Sequence, residues 1–282
     1  MLASSAARRQ RQGPARLYAY AFLLALSGFC LVPFLWPLLA SVDGHAGLFL
    51  RAPDLTLHNF HKVVSDPTYR RLALNSFIIA GGATVVVLAA SALGGYALSR
   101  FSFPGRRVFM FGVLFTRMIP ATATIVPLYI IEGDLSLTDT YQGVILAIAA
   151  QQLPLALWLM KGFFDTVPAS LEEASWIDGL SRFGSAIRIV APLAAPGVGV
   201  TALFTFIEAW GDFLTPLILL SGSPDKTPFS IGLFRAFIAF NLVDWGLLAV
   251  LAIVYTIPAV ALYFLVRRYL LRATMTGGLA GE

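Results

Sequence analysis

Apolar residues in this chain gather into long blocks separated by short polar stretches, with no alternation at a period of two. Uncharged blocks cover residues 17–42, 72–99, 140–160, 189–207 and 245–266, and a further block, 108–131, is interrupted only by Arg117. The 189–207 block continues past Glu208 and Asp212 to about Leu220. A helix needs roughly 20 mainly apolar residues to cross about 30 Å of hydrocarbon. Blocks this long do not read as barrel strands, which run about ten residues with alternating polarity. The pattern predicts an all-α integral membrane protein of six transmembrane helices, with both termini on one side.

Composition supports the same environment. Charged residues make up 12% of the 282, about half the roughly 25% of a soluble domain. So few charges cannot cover a water-facing surface, and so apolar a chain is not intrinsically disordered. The net charge of +5 does not imply nucleic acid, because the basic residues fall between the apolar blocks. Their placement sets orientation: thirteen of the 20 Lys and Arg lie in the segments on the side of the termini, six lie opposite, and Arg117 lies within a block. The excess marks the cytoplasmic side, so both termini are expected there. The first block exceeds the 7–15 residues of a signal-peptide core and reads as a retained helix. The expected organisation is a basic segment 1–16, a six-helix membrane domain 17–270 and a tail 271–282. Cys30, the single cysteine, lies inside an apolar block, which excludes an intramolecular disulfide and a thiolate metal cluster. Outside the blocks, a short surface helix is expected around 58–64 and an amphipathic stretch near 229–240. Solvated loop residues are the plain reading of His45, His58 and His61.

The segment 164–192, between the fourth and fifth blocks, is the most informative. Ser170 followed three residues later by Glu173 fits a capping box, with Pro168 and acidic residues suited to a helix start. Gly179 suits a helix stop, because glycine adopts the left-handed conformation without penalty. The expected product is a short exposed helix-turn-helix carrying Glu172, Glu173 and Asp178 around the small residues Ala174, Ser175 and Gly179. Small residues admit a close partner surface, and the acids offer sites for arginine. No His, Lys or Cys nucleophile accompanies them, so a catalytic site is not indicated. An ordinary amphipathic loop helix would satisfy the same pattern.

The segment resembles the EAA loop of ABC-importer permeases at Glu173-Ala174-Ser175, Gly179, Ile189 and Pro192, with Asp178 preceding the glycine. It departs from that family at Ser175, Leu180 and Ala186, where alanine, alanine and phenylalanine are usual. Further stretches resemble the carbohydrate branch: Asn75-Ser76, the run from Ala97 to Gly105, Ile119-Pro120, Pro127-Leu128-Tyr129, Trp210-Gly211-Asp212-Phe213 and Arg268-Tyr269. Gly211 stands where that branch usually has asparagine. The overall likeness is to the second permease of maltose-type sugar importers, in order over roughly 200 residues.

The resemblance implies a type I importer fold in a bacterial-type inner membrane. It implies a second homologous permease subunit, two cytoplasmic ATPase subunits and an extracytoplasmic solute-binding protein. Glu172, Glu173, Ala174, Ser175, Asp178 and Gly179 would then couple to the ATPase, and 276–282 is a candidate for a second contact with it. A separate motor agrees with the sequence itself. A P-loop needs Gly-Lys, and the lysines Lys62, Lys161 and Lys226 follow His61, Met160 and Asp225. No cofactor is therefore expected on this chain, ATP being hydrolysed elsewhere.

Arg117, Glu208 and Asp212 are expected within the membrane, where an unpaired charge costs roughly 2.5 kcal/mol or more. Two readings follow: Arg117 pairs with one of the acids, or all three line the substrate path. Tyr129, Phe206, Trp210 and Tyr255 lie near the same level and suit either a sugar ring or interhelical packing. Gly81-Gly82 and Gly94-Gly95 suit close helix approach. The substrate implied is a sugar, with a phosphorylated polyol such as glycerol phosphate as an alternative. An ion-coupled secondary transporter would show an inverted internal repeat, and none is evident. An intramembrane enzyme would need a nucleophile and base within the helices, which offer no His and only Cys30.

Overall fold

A computed structural model describes residues 3–47, 54–238 and 243–278. Among the described residues the backbone is helical, with a single isolated bridge between Asp43 and Leu55. Two compact units are distinguished, Met1–Ser65 with Ala239–Ile253, and Asp66–Ile238 with Val254–Glu282. The Arg268-Tyr269 side chains and residues 279–282 of the tail fall outside the description.

The first unit holds α1 (Ala3–Ser41), α2 (His58–Ser65) and the opening turns of α13 (Trp245–Gly278). The apolar part of α1, Leu17–Ser41, is left uncovered by this chain until its last turn, where Ala40 and Ser41 are buried. A helix apolar all round and uncovered belongs against lipid or another subunit. The short helix expected near residue 58 is present as α2. Its buried Asn59 donates to the carbonyls of Ser41 at 3.3 Å and Asp43 at 3.0 Å. Gly246 lies so close to Asn59 that a β-carbon there would collide with it. Trp36 meets Trp245 edge to face at 5.9 Å, and Lys62 Nζ reaches Asp244 Oδ2 at 3.0 Å. His45 Nδ1 lies 3.6 Å from Asp54, and the described residues contain no group of His, Cys, Asp and Glu able to hold a metal.

The second unit is built on two long helices, α3 (Pro67–Arg100) and α6 (Tyr141–Asp165), packed along their lengths. α3 starts five residues before its apolar block. Asp66 accepts from the Thr68 amide at 2.8 Å, and Pro67 supplies a preset first-turn φ. The same bond holds the Asp66 carboxyl below its ordinary value. Without a hydrophobic drive between helices in lipid, close contact depends on small residues. Three of the four paired glycines serve this purpose. A β-carbon on Gly82 or Gly94 would strike Ile145 or Leu157, and one on Gly95 would lie 2.9 Å from the Lys161 amide nitrogen. Gly81 faces open space.

The third and fifth blocks are not single helices. The third divides into α4 (Arg106–Thr116) and α5 (Ala121–Asp134), which meet at 96°. Pro120 causes the break: it lacks an amide hydrogen and disfavours helical backbone at Ile119. Pro127, the other proline of this block, is carried inside α5. In the fifth, Arg182–Leu193 comprises α8 (Arg182–Ser185), a π-helical turn at Ala186–Val190 and α9 (Ala191–Leu193). It meets α10 (Ala195–Gly211) at 71°. Residues 189–193 of this block therefore lie before the bend and not in line with α10. Beyond Gly211 the helix does not run on to Leu220. Asp212 is extended, and α11 (Leu214–Leu219) starts anew. Counting each bent pair once gives up to six spans.

α10 packs on both α3 and α6. Ile79, Ala80 and Ala83 meet Val144, Ala147, Ile148, Ala209 and Trp210 in the central core. Asn75-Ser76 are fasteners. Asn75 Nδ2 donates to the carbonyls of Asp225 and Thr227, each at 2.9 Å, while Ser76 Oγ accepts the Phe229 amide. These bonds tie a 3-10 turn, Pro224–Lys226, and α12 (Phe229–Phe237) to the start of α3. The expected amphipathic stretch near 229–240 is α12.

Candidate functional site

The insertion after α6 folds as α7 (Ala169–Ile177). The capping box does not form: Pro168 occupies the cap position, no side chain caps the helix, and the turn starts two residues earlier than Ser170 requires. The end follows the sequence closely. Gly179 has φ +90°, the Leu180 amide donates to the Ser175 carbonyl at 3.0 Å, and the Gly179 amide donates to Trp176 at 3.1 Å. That pair of bonds is the Schellman arrangement, which only a left-handed residue permits cheaply.

α7 has two faces, and the acids divide between them. Glu172 is 2% exposed and turned inward. Arg100, the last residue of α3, forms an ion pair with it through Nε, and Tyr96 Oη donates to its other oxygen at 2.9 Å. Arg100 also donates to the Val167 carbonyl at 2.9 Å. Ser99 donates to Asp165 at 2.7 Å, and Lys161 pairs with the same carboxylate. Expected to be exposed, Glu172 is instead committed within the chain, because a carboxylate beside a half-buried guanidinium is worth more satisfied than solvated. Ser175 is likewise buried. Its Oγ lies 2.7 Å from the Glu172 carbonyl and 2.7 Å from Ser185 Oγ, so it donates to the first and accepts from the second. The serine that departs from the alanine pattern thus links α7 to α8.

Glu173, Ala174, Ile177, Asp178 and Gly179 face outward. Ile177 is 88% exposed, Phe183 is exposed as well, and the Arg182 guanidinium covers the Trp176 ring at 5.2 Å. An apolar tip flanked by two carboxylates is what a protein partner with a basic cleft would seat. Helical geometry accounts for the division: at 100° per residue, positions 172 and 175 share one side, while 173 and 177 share another. The inward partners Tyr96 and Arg100 were missed, since nothing local in sequence connects them to residue 172.

Farther along α6, a cavity of about 990 Å³ opens between the α4–α5 break, the middle of α6 and the end of α10. Arg117, Glu208 and Asp212 all line it. Arg117 Nη2 lies 3.6 Å from Glu208 Oε2, and its Nη1 donates to Gln151 O at 2.9 Å and Gln152 Oε1 at 3.1 Å. Asp212 is not the ion-pair partner. Its carboxylate accepts the Thr215 amide at 3.1 Å and starts α11. Pairing and lining are therefore compatible, because Glu208 is half-exposed into the space it borders.

The aromatic candidates separate from this wall. Trp210 is 4% exposed, stacked between Phe206 at 5.6 Å and Tyr255 at 5.7 Å. Its Nε1 donates to the Tyr255 carbonyl at 3.0 Å, and the Tyr255 hydroxyl returns a 3.0 Å bond to the Trp210 carbonyl. This is interhelical packing. Tyr129 is half-exposed and does not belong to the cavity wall. Sequence reasoning missed Gln151 and Gln152, the polar pair in the middle of an otherwise apolar helix.

A family described as the binding-protein-dependent transport system inner membrane component matches residues 87–275. The trehalose/maltose transport system permease protein of Thermococcus litoralis is 34% identical over 269 residues, covering 93% of this chain and 95% of that protein. The sulfoquinovosyl glycerol transport system permease of Agrobacterium fabrum is 30% identical, covering 95% and 94%. In fold, the chain is similar to one from a bacterial ABC transporter that imports the acidic polysaccharide alginate. The TM-score is 0.78 at 23% identity, with 90% of this chain and 96% of that one covered.

Proposed function

The chain belongs to the binding-protein-dependent transport system inner membrane components, and from that membership we propose that it is the permease subunit of a carbohydrate ABC importer, forming half of the translocation pathway. It is a multi-pass membrane protein rather than an enzyme. The observation that carries the coupling role is the two-faced α7. Its inner acid is fastened to the end of α3, while Glu173, Ile177 and Asp178 point away from the chain. A helix held this way transmits a push instead of absorbing it.

In this reading α7 seats in a cytoplasmic ATPase subunit, which binds and hydrolyses the ATP. A second, homologous permease completes the pathway, and a soluble protein delivers the sugar from outside. Both termini lie in the cytoplasm. Closure of the motor moves α7, and rigid helix groups expose the cavity to alternate sides.

A neutral sugar suits the cavity better than a phosphorylated polyol. The charge of Arg117 is met by Glu208, and Asp212 adds a second negative group to the same wall. An anion would meet net repulsion there. Glutamines and backbone groups supply the neutral hydrogen bonds that hydroxyls use. The test is ATPase stimulation of the complete reconstituted importer across trehalose, maltose, sulfonated glycosides and glycerol phosphate. Stimulation by a neutral disaccharide supports the reading. Stimulation by glycerol phosphate alone refutes it, and an ion-gradient requirement without ATP turnover refutes the ABC mechanism.

A further inference from the structure

An open cleft, remote from the Arg117 cavity, lies at the end of the spans that carries α7. It has a volume of about 690 Å³ and is bounded by the turn leading into α4, the first turns of α4 and the last turns of α6. Three cations line it, Arg106, Arg107 and Lys161, and no acidic side chain does. Lys161 is engaged with Asp165. Arg106 makes one long bond, from Nη1 to the Phe101 carbonyl at 3.4 Å. The Arg107 side chain has no ion pair or hydrogen bond among the described residues. Two guanidinium groups thus present unused donors to one space, at the start of a helix with no acid in its first turn. Adjacent uncompensated cations at that end repel each other and the helix dipole, which an anion between them would relieve.

The remaining walls are apolar. Val108, Met110, Phe111 and Trp158 extend from the cations along α4 and α6, and Val108, Phe111 and Trp158 are largely uncovered. Both helices belong to spans, so this wall runs into the bilayer while the guanidinium groups stay at its edge. A tryptophan at that level is the usual interfacial residue. A free phosphate would have no use for the apolar wall. A lipid has both parts, a phosphodiester for the arginines and an acyl chain for Phe111 and Trp158.

We propose that this space is a binding site for an anionic phospholipid, whose phosphate bridges Arg106 and Arg107 and whose acyl chain lies along Val108, Phe111 and Trp158. The turn that carries the arginines continues directly from Arg100, the residue that holds α7, so the lipid would brace the same end of α3.

The full chain, purified with its co-assembling subunits, is placed in nanodiscs of equal phosphatidylglycerol and phosphatidylcholine, and retained lipids are counted by native mass spectrometry. The wild type is expected to retain phosphatidylglycerol in preference to phosphatidylcholine. Arg106→Gln with Arg107→Gln is expected to reduce that preference roughly 30-fold. Arg235→Gln, at an exposed cation elsewhere, is expected to leave it unchanged. Arg106→Lys with Arg107→Lys, which keeps the charge, retains most of it and controls for folding. No preference in the wild type, or an undiminished preference in the folded Gln variant, overturns the proposal. Displacement by soluble glycerol phosphate at equal concentration overturns the lipid as the source of the phosphate.

Discussion

Arg100 closes one transmembrane helix and Glu172 lies in the first turn of the helix outside it, and the two form an ion pair whose acidic partner is 2% exposed. Removing one member of a buried pair leaves the other charged and unmet, at a cost of about 3 kcal/mol or more. Glu172→Gln is therefore expected to loosen residues 166–181, read as faster limited proteolysis there and a lower melting temperature. Glu173→Gln should leave both unchanged while lowering uptake. Equal melting temperatures for the two variants would dissolve the distinction between the inward and outward acids.

Gly179 has φ +90° and nothing within 4 Å of a would-be β-carbon. The penalty for a side chain there is conformational, about 1–2 kcal/mol, and confined to the end of α7. Gly179→Asp is expected to insert in the membrane normally and to lose transport. Wild-type uptake by this variant would remove the turn from the coupling mechanism.

Gly95 and Gly81 lie on the same helix with opposite surroundings. A β-carbon at Gly95 would press on the backbone of Lys161 and on Met160, whereas Gly81 faces open space. Gly95→Val should cost about 1–3 kcal/mol by forcing α3 from α6. Gly81→Ala should be neutral. Thermal denaturation in detergent compares them directly.

Glu208 balances Arg117 within the cavity wall. Glu208→Gln shifts the local charge by +1, and the importer should gain ATPase stimulation by sulfonated or phosphorylated glycosides relative to neutral ones. The measure is the ratio of the two responses, which cancels changes in overall activity. An unchanged ratio would place Glu208 outside the path.

Asp244 precedes α13 and has a carboxyl held below its ordinary value. Partial burial works against this, but the Leu247 amide and Lys62 outweigh it. A depressed folded-state value means that the stabilisation is complete above about 3.8, the unfolded value, and is lost as pH falls through the lower folded one. Asp244→Asn should lower the melting temperature at neutral pH and make no difference in strong acid. A constant difference across that range would assign the effect to packing.

The spans were legible because membrane insertion depends on length and apolarity, both of which are local. The stop at Gly179 was legible because one residue type serves it. What escaped depends on distant partners or on competition between local signals. Ser170 and Glu173 satisfy a capping pattern, yet Pro168 already starts the turn, so neither side chain is used. Glu172 reads like its neighbour until Arg100, 72 residues away, selects one of them. The bend at Ala194, and the choice of Pro120 over Pro127 as the breaking proline of the third block, escaped for a third reason. In apolar sequence a proline can be absorbed, as Pro127 is, or can end a helix, and the choice depends on whether other elements satisfy the freed backbone.

The right-angled break between Thr116 and Ala121 determines how this wall can change by mutation. Both helix ends contribute to the cavity, and helix ends present peptide groups that the regular ladder does not consume. At this break, however, the carbonyls of Leu114, Phe115 and Thr116 already accept the amides of Arg117, Met118 and Ile119, so the main chain adds little to the polarity of the wall. Its polarity rests instead on Arg117, Gln151, Gln152 and Glu208, each of which a single substitution can remove.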